Sequence, residues 1–250
     1  MNTPKAILFD LDDTLLELGA NSTKVWQVLT QRHAAELHVD ADVLLNAIET
    51  ARRWYWDDAN RHQRGRLNQV VALEEMVRIA LEQLKIDAPH VPALYAQQFD
   101  EVLFELLQLF PGAIDILEHL RGQGIKLGMI TNGSAVRQRR KIEQFQLARH
   151  FDYILVEEEF GAGKPDERVY WHMLAQLQVQ PQDTWMIGDK LRWDVLPPQR
   201  LGMTGIWVDL KGEGMPANCE ERPNHIVRNV IELRHILETV ASRQQPAASN

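Results

Sequence analysis

Ala6-Ile7-Leu8-Phe9-Asp10-Leu11-Asp12-Asp13-Thr14 is the stretch on which the fold turns. Four apolar residues run straight into a carboxylate-rich turn. So short an apolar run predicts a strand buried on both faces of a parallel sheet. Four later runs read the same way: Lys126-Leu127-Gly128-Met129-Ile130, Tyr153-Ile154-Leu155-Val156, Thr184-Trp185-Met186-Ile187 and Gly205-Ile206-Trp207-Val208. Segments of helical character separate the last four. Repeated β-α units of this kind predict an α/β protein with a doubly wound, Rossmann-like parallel sheet.

About a hundred residues without a strand signal separate the first run from the second. Leu44, Ile48, Ala51 and Tyr55 recur at helical spacing, as do Leu73, Val77, Ala80, Leu81 and Leu84, and then Phe99, Val102, Leu103, Leu106 and Phe110. With a helix around Val25 to Leu37, these predict a four-helix insertion over residues 17–108, leaving 1–16 and 109–250 as the α/β core. Pro111-Gly112 punctuates the return to the sheet.

Ligands of such a sheet gather beyond the carboxyl ends of its strands. The residues there are Asp10-Leu11-Asp12-Asp13-Thr14 after the first run and Thr131-Asn132-Gly133-Ser134 after the second. Gly161-Ala162-Gly163-Lys164-Pro165-Asp166 follows the third, and Gly188-Asp189-Lys190, with Asp194 five residues past Asp189, follows the fourth. Carboxylates, hydroxyls and a lysine delivered to one edge ask for a divalent metal and an anionic substrate. The Gly-Ala-Gly-Lys segment is not a nucleotide P-loop, because Glu158 stands at the first glycine and Pro165 at the Ser/Thr position.

Asp10-x-Asp12-x-Thr14, Thr131-Asn132-Gly133, Gly163-Lys164-Pro165-Asp166 and Gly188-Asp189-x4-Asp194, in that order, resemble the four motifs of the haloacid dehalogenase-like (HAD) hydrolase superfamily. The resemblance spans residues 10 to 194. It implies that Asp10 is a nucleophile forming an aspartyl-phosphate. It also implies a Mg²⁺ ion held by Asp10, the main-chain carbonyl of Asp12 and Asp189, with Asp194 supporting it from behind; the ion offsets the repulsion between carboxylate and phosphate. Asp12 would protonate the leaving alcohol and then activate water. Thr131, the backbone around Asn132, and Lys164 would hold the phosphoryl oxygens. With 8 lysines against 19 arginines in the chain, Lys164 is conspicuous after its two glycines.

By the same resemblance the insertion is a substrate cap, with Leu15 to Gly19 and Leu109 to Gly112 as hinge strands. Closure over the site would exclude water and select substrates. Arg52-Arg53-Trp54-Tyr55-Trp56 and Arg61-His62-Gln63-Arg64-Gly65-Arg66 read mainly as an amphipathic helix with aromatics buried and arginines solvated. Arg64 and Arg66 flank a glycine in an expected loop and are the better candidates for a leaving-group contact. The run Arg137-Gln138-Arg139-Arg140-Lys141 reads as a solvated helix face. Lys190 is expected to point to solvent, and Pro197-Pro198 to shift a helix start.

The expected activity is therefore a Mg²⁺-dependent phosphomonoesterase acting on a small phosphate ester. Alternatives on the same scaffold are a 2-haloacid dehalogenase, which needs neither metal nor acid, a phosphosugar mutase, and a non-catalytic binding protein. Composition bounds the rest. Of 250 residues, 27 are Lys or Arg and 35 Asp or Glu, a net charge of −8, which argues against nucleic-acid and anionic-membrane partners. The single cysteine, Cys219, forms no intrachain disulfide and suits a reducing cytoplasm. No apolar stretch reaches the ~18 residues of a membrane span. The first residues do not read as a signal peptide, and Ser242 to Asn250 read as a polar frayed tail. No oligomeric state is legible, although seven tryptophans leave room for an apolar interface.

Overall fold

β1 (Ala6–Phe9) lies in the middle of a six-stranded sheet of order β3-β2-β1-β4-β5-β6, with β2 at Lys126–Thr131, β3 at Tyr153–Val156, β4 at Thr184–Gly188, β5 at Thr204–Val208 and β6 at His225–Val227. All pairings are parallel, and Phe9 is in register with Met129 on one side and Ile187 on the other. The computed structural model describes residues 3–217 and 219–244. β1 is wholly buried because helices cover both faces of the sheet, as its unbroken apolar run requires. The five expected strands form; β6 is the addition, three residues long and too short to carry a pattern.

The chain divides into two units, residues 1–17 with 108–250, and Leu18–Leu107. The second contains α1 (Gly19–Ala34), α2 (Ala41–Asp57), α3 (Ala59–Leu67), α4 (Gln69–Gln83) and α5 (Val91–Leu106). Its core is aromatic: Trp26 packs on Tyr95 and Phe99, and the Arg52 guanidinium lies 5.4 Å above the Trp26 ring. The unit thus has five helices where the apolar spacing predicted four. Arg64 and Arg66 lie on the extra one, α3, and not in a loop. Its sequence has almost no apolar residues, so periodicity is silent. Local bonds make the helix: Asp58, extended between α2 and α3, accepts from the Arg61 amide at 2.8 Å. Gly65 is buried where a Cβ would stand 2.6 Å from the Tyr55 ring and 3.1 Å from that of Trp56.

In the first unit the helices are α6 (Ala113–Gly122), α7 (Ala135–Gln144), the single turn α8 (Glu157–Phe160), α9 (Glu167–Leu177), α10 (Leu196–Arg200) and α11 (Leu233–Gln244). Leu8, Ile130, Leu155 and Met186 of the sheet pack with Val169, Tyr170, Met173 and Leu174 of α9. The segments leading out of β1 and back towards α6 pair with each other: Phe110 donates to Leu15 O and Glu17 to Gln108 O, both at 2.9 Å. Pro197 and Pro198 occupy the first turn of α10, preceded by one π-helical turn, Leu191–Val195. Ser242 to Gln244, expected to fray, belong to α11, while the rest of that tail, 245–250, lies outside the described residues, as do Met1 and Asn2. Among the described residues no helix is long and apolar enough to cross a membrane.

Candidate active site

The strand order reverses direction around β1, so the loops after β1, β2 and β4 open side by side at the carboxyl edge of the sheet. Asp10 stands one residue past β1, its amide tied to Ile187 O at 2.9 Å. Asp189 stands one residue past β4, and Asp194 projects from the π-helical turn that follows. Carboxylate oxygens of these three residues all lie within 4.8 Å of one another. Gly188 permits the approach, because a Cβ there would lie 2.4 Å from Asp194 Cγ.

Lys164 reaches this cluster from the loop before α9. Its Nζ lies 2.5 Å from Asp10 Oδ1 and 2.7 Å from Asp194 Oδ1, with the side chain 1% exposed. Burial works against its charge, but Asp10 and Asp194 prevail and hold its pKa above the usual lysine value. Thr14 Oγ1 donates to Asp10 Oδ2 at 3.3 Å, and the Lys190 amide donates to Asp194 Oδ2 at 2.8 Å. Burial raises the Asp10 pKa well above the normal carboxylate range; Lys164 opposes this, and the neighbouring Asp194 and Asp189 add to it. Burial pushes Asp189 up to about 7, opposed by Lys190 and reinforced by Asp194. The Lys190 side chain is half exposed but does not simply point to solvent as expected, because its Nζ pairs with Asp189 Oδ2.

Thr131 closes β2 and is 1% exposed. The Asn132 side chain is committed to the main chain of Lys164: its Nδ2 donates to Lys164 O and its Oδ1 accepts from Lys164 N, both at 2.8 Å. Asn132 therefore fastens the lysine loop to the end of β2. Glu157 does the same for Gly133, whose amide donates to Glu157 Oε2 at 2.9 Å.

Only part of the basic run on α7 is a solvated face: Arg139 and Arg140 are exposed, and the other three residues are not. Arg137, Gln138 and Lys141 are buried, and Lys141 Nζ donates to both carboxylate oxygens of Asp12, at 2.8 and 2.7 Å. Gln138 Nε2 donates to Asp12 Oδ2 at 3.1 Å and also to Thr131 Oγ1, while Gln138 Oε1 accepts from Lys141 at 2.8 Å. Burial lowers the Lys141 pKa against the pull of Asp12. Gln138 and Lys141 are thus site residues that the sequence pattern does not mark. Arg64 and Arg66 belong to the other unit, where the Arg66 guanidinium meets His62 Nδ1 at 3.3 Å.

A parallel sheet with buried carboxylates and a lysine at its switch point is the scaffold of an enzyme that handles a charged ligand. The chain belongs to the haloacid dehalogenase-like hydrolases, the family whose model matches residues 4–202. It is 27% identical over 241 residues to a glyceraldehyde 3-phosphate phosphatase of Methanocaldococcus jannaschii, covering 94% of this chain and 98% of the other. To the protein of the same name from Methanothermobacter thermautotrophicus it is 28% identical over 92% of this chain and 93% of that one. Among solved structures, the HAD-hydrolase YfnB of Bacillus subtilis, determined bound to magnesium, superposes with a TM-score of 0.74 at 24% identity, covering 95% of this chain and 99% of that one.

Proposed function

We propose that the protein is a Mg²⁺-dependent phosphomonoesterase that hydrolyses a small phosphorylated metabolite through an aspartyl-phosphate. The observation that carries this reading is the cluster of Asp10, Asp189 and Asp194 around Lys164, with Asp12 held separately by Lys141 of α7. A 2-haloacid dehalogenase would use the carboxylate of Asp10 but has no need of that cluster or of Asp12.

The donor set suits a hard divalent cation. It consists of oxygens, chiefly those of three carboxylates crowded within 4.8 Å of one another, and burial together with this crowding raises the Asp10 and Asp189 pKa values. Asp10, the Asp12 carbonyl and Asp189 are the proposed ligands, with Asp194 holding Lys164 and the Lys190 amide beside them. When bound, Mg²⁺ neutralises charge between carboxylate and phosphate and polarises the phosphoryl group.

The remaining steps belong to the chain. Lys164, Thr131 and the main chain at Asn132 receive the phosphoryl oxygens. Asp10 attacks phosphorus as the ester P–O bond breaks, and Asp12 gives its proton to the departing oxygen. Asp12 then takes a proton from the water that cleaves the acyl-phosphate, which restores Asp10 and releases phosphate. The five-helix unit, Leu18–Leu107, is proposed as the cap that selects the leaving group, with Arg64 and Arg66 as its contacts. Relatives named for glyceraldehyde 3-phosphate make three-carbon phosphate esters the first metabolites to assay.

The test is phosphate release from p-nitrophenyl phosphate and a metabolite-phosphate panel by chelator-treated protein, with and without added Mg²⁺. Activity restored by Mg²⁺ is the expected result. Hydrolysis indifferent to Mg²⁺, or none on any ester, would overturn the reading.

A further inference from the structure

We propose that Gln138 and Lys141 are positioning residues that clamp Asp12 in its proton-transfer orientation and tie it to Thr131; this rests on the phosphatase reading above. The two side chains stand three residues apart on α7, hence on one face of that helix. Lys141 occupies both Asp12 oxygens, and Gln138 bridges one of them to the Thr131 hydroxyl. Gln138 and Lys141 are each 2% exposed, whereas the Asp12 side chain keeps 22% of its surface open. Asp12 is therefore held through both carboxylate oxygens while part of its side chain stays open. A buried ammonium is costly unless it is bonded, and a core-facing helix position ordinarily takes an apolar residue. The arrangement spends that cost on one carboxylate.

A fixed Asp12 matters in two steps. It must meet the leaving oxygen as P–O cleaves, and then meet the water that attacks phosphorus. Both proton transfers require the carboxyl within hydrogen-bond reach of the reacting oxygen. A free Asp12 could rotate about χ1 among several wells, and only one of them serves. The Thr131 link places the proton-transfer group and a phosphoryl-holding hydroxyl on one hydrogen-bonded chain.

The experiment compares Lys141→Met and Gln138→Ala with the parent on p-nitrophenyl phosphate and phenyl phosphate, which differ in leaving group and little in shape. Asp12→Asn serves as the ceiling. Loss of positioning should lower kcat on phenyl phosphate by about 10- to 100-fold, within the ~10²–10⁴-fold span of general acid–base catalysis. The first turnover of p-nitrophenyl phosphate needs little leaving-group protonation and should slow less than about threefold. A rapid burst of one p-nitrophenolate per enzyme should then precede slow turnover, because water activation is impaired while attack by Asp10 is not. Gln138→Ala should show the same pattern more weakly, and it keeps the clamp testable if Lys141→Met does not fold. Equal losses on both esters without a burst, or parental kinetics in both variants, would overturn the inference. If the parent hydrolyses neither ester with Mg²⁺, the phosphatase reading itself falls.

Discussion

Asp10 has the least freedom to be anything but a reacting group. It is buried, beside two further carboxylates, and bonded to an ammonium that is itself buried. Replacement by Asn keeps the shape and removes the proposed nucleophile. Asp10→Asn should fold, bind Mg²⁺ weakly and turn over no substrate; wild-type phosphate release, with deamidation excluded by mass spectrometry, would refute the covalent route. Gly188 supports a second expectation at this scale. Its missing Cβ is the space that Asp194 occupies. Gly188→Ala must push Asp194 away from Lys164 and from the Lys190 amide, and groups that orient ligands in this way typically contribute about 10–100-fold to metal affinity. Calorimetric titration with Mg²⁺ should show weakening of that order, and an unchanged Kd would mean that Asp194 has no part in holding the ion.

Elements differ in how openly the sequence declares them. The central strands are mostly apolar because both faces are covered, so β1, β2 and β4 could be read directly, along with Asp10, Thr131 and Asp189 at their ends. α7 inverts the usual rule. Its Val136 is 78% exposed while Arg137, Gln138 and Lys141 are buried, because this helix turns its polar face to the site. Hydrophobic patterning therefore assigns the buried face to solvent, and nothing local in the run signals otherwise. The π-helical turn at Leu191–Val195 is also beyond pattern reading, since it is stabilised from a distance by Tyr170 on α9, whose hydroxyl donates to Trp193 O. Tyr170 is fully buried, and burial, aided by Asp194 and Asp10, keeps its phenol protonated. Tyr170→Phe takes one partner from a carbonyl next to Asp194, a loss of about 1–3 kcal/mol. At about 2–4 °C per kcal/mol for a chain of this size, the melting temperature should fall by several degrees, with a higher Mg²⁺ requirement for activity. A melt unchanged within a degree would show the bond to be dispensable.

At the scale of the whole molecule, the proposed chemistry and the proposed choice of substrate fall to different stretches of chain. Every group given a part in phosphoryl transfer lies in residues 1–17 and 108–250, while Leu18–Leu107 carries the aromatic and cationic side chains of α2 and α3. There the Arg61 guanidinium stacks 3.7 Å over Trp54 and Arg66 meets His62, so these cations are partly spoken for by their own helices. If the helical unit selects the leaving group, Arg64→Ala or Arg66→Ala should raise KM for the metabolite that a substrate screen identifies. A guanidinium bonded to a charged or hydroxyl-rich group contributes about 1.5–3 kcal/mol, or roughly 10- to 100-fold in kcat/KM. p-Nitrophenyl phosphate makes no such bond and should lose little. Parallel kinetics on the two substrates separate the possibilities. Unchanged constants on the metabolite would return both arginines to the solvent-facing surface of α3. An equal loss on both substrates would instead mark them as supports of the helical unit's own structure, because a contact confined to the leaving group cannot slow an ester that lacks that group.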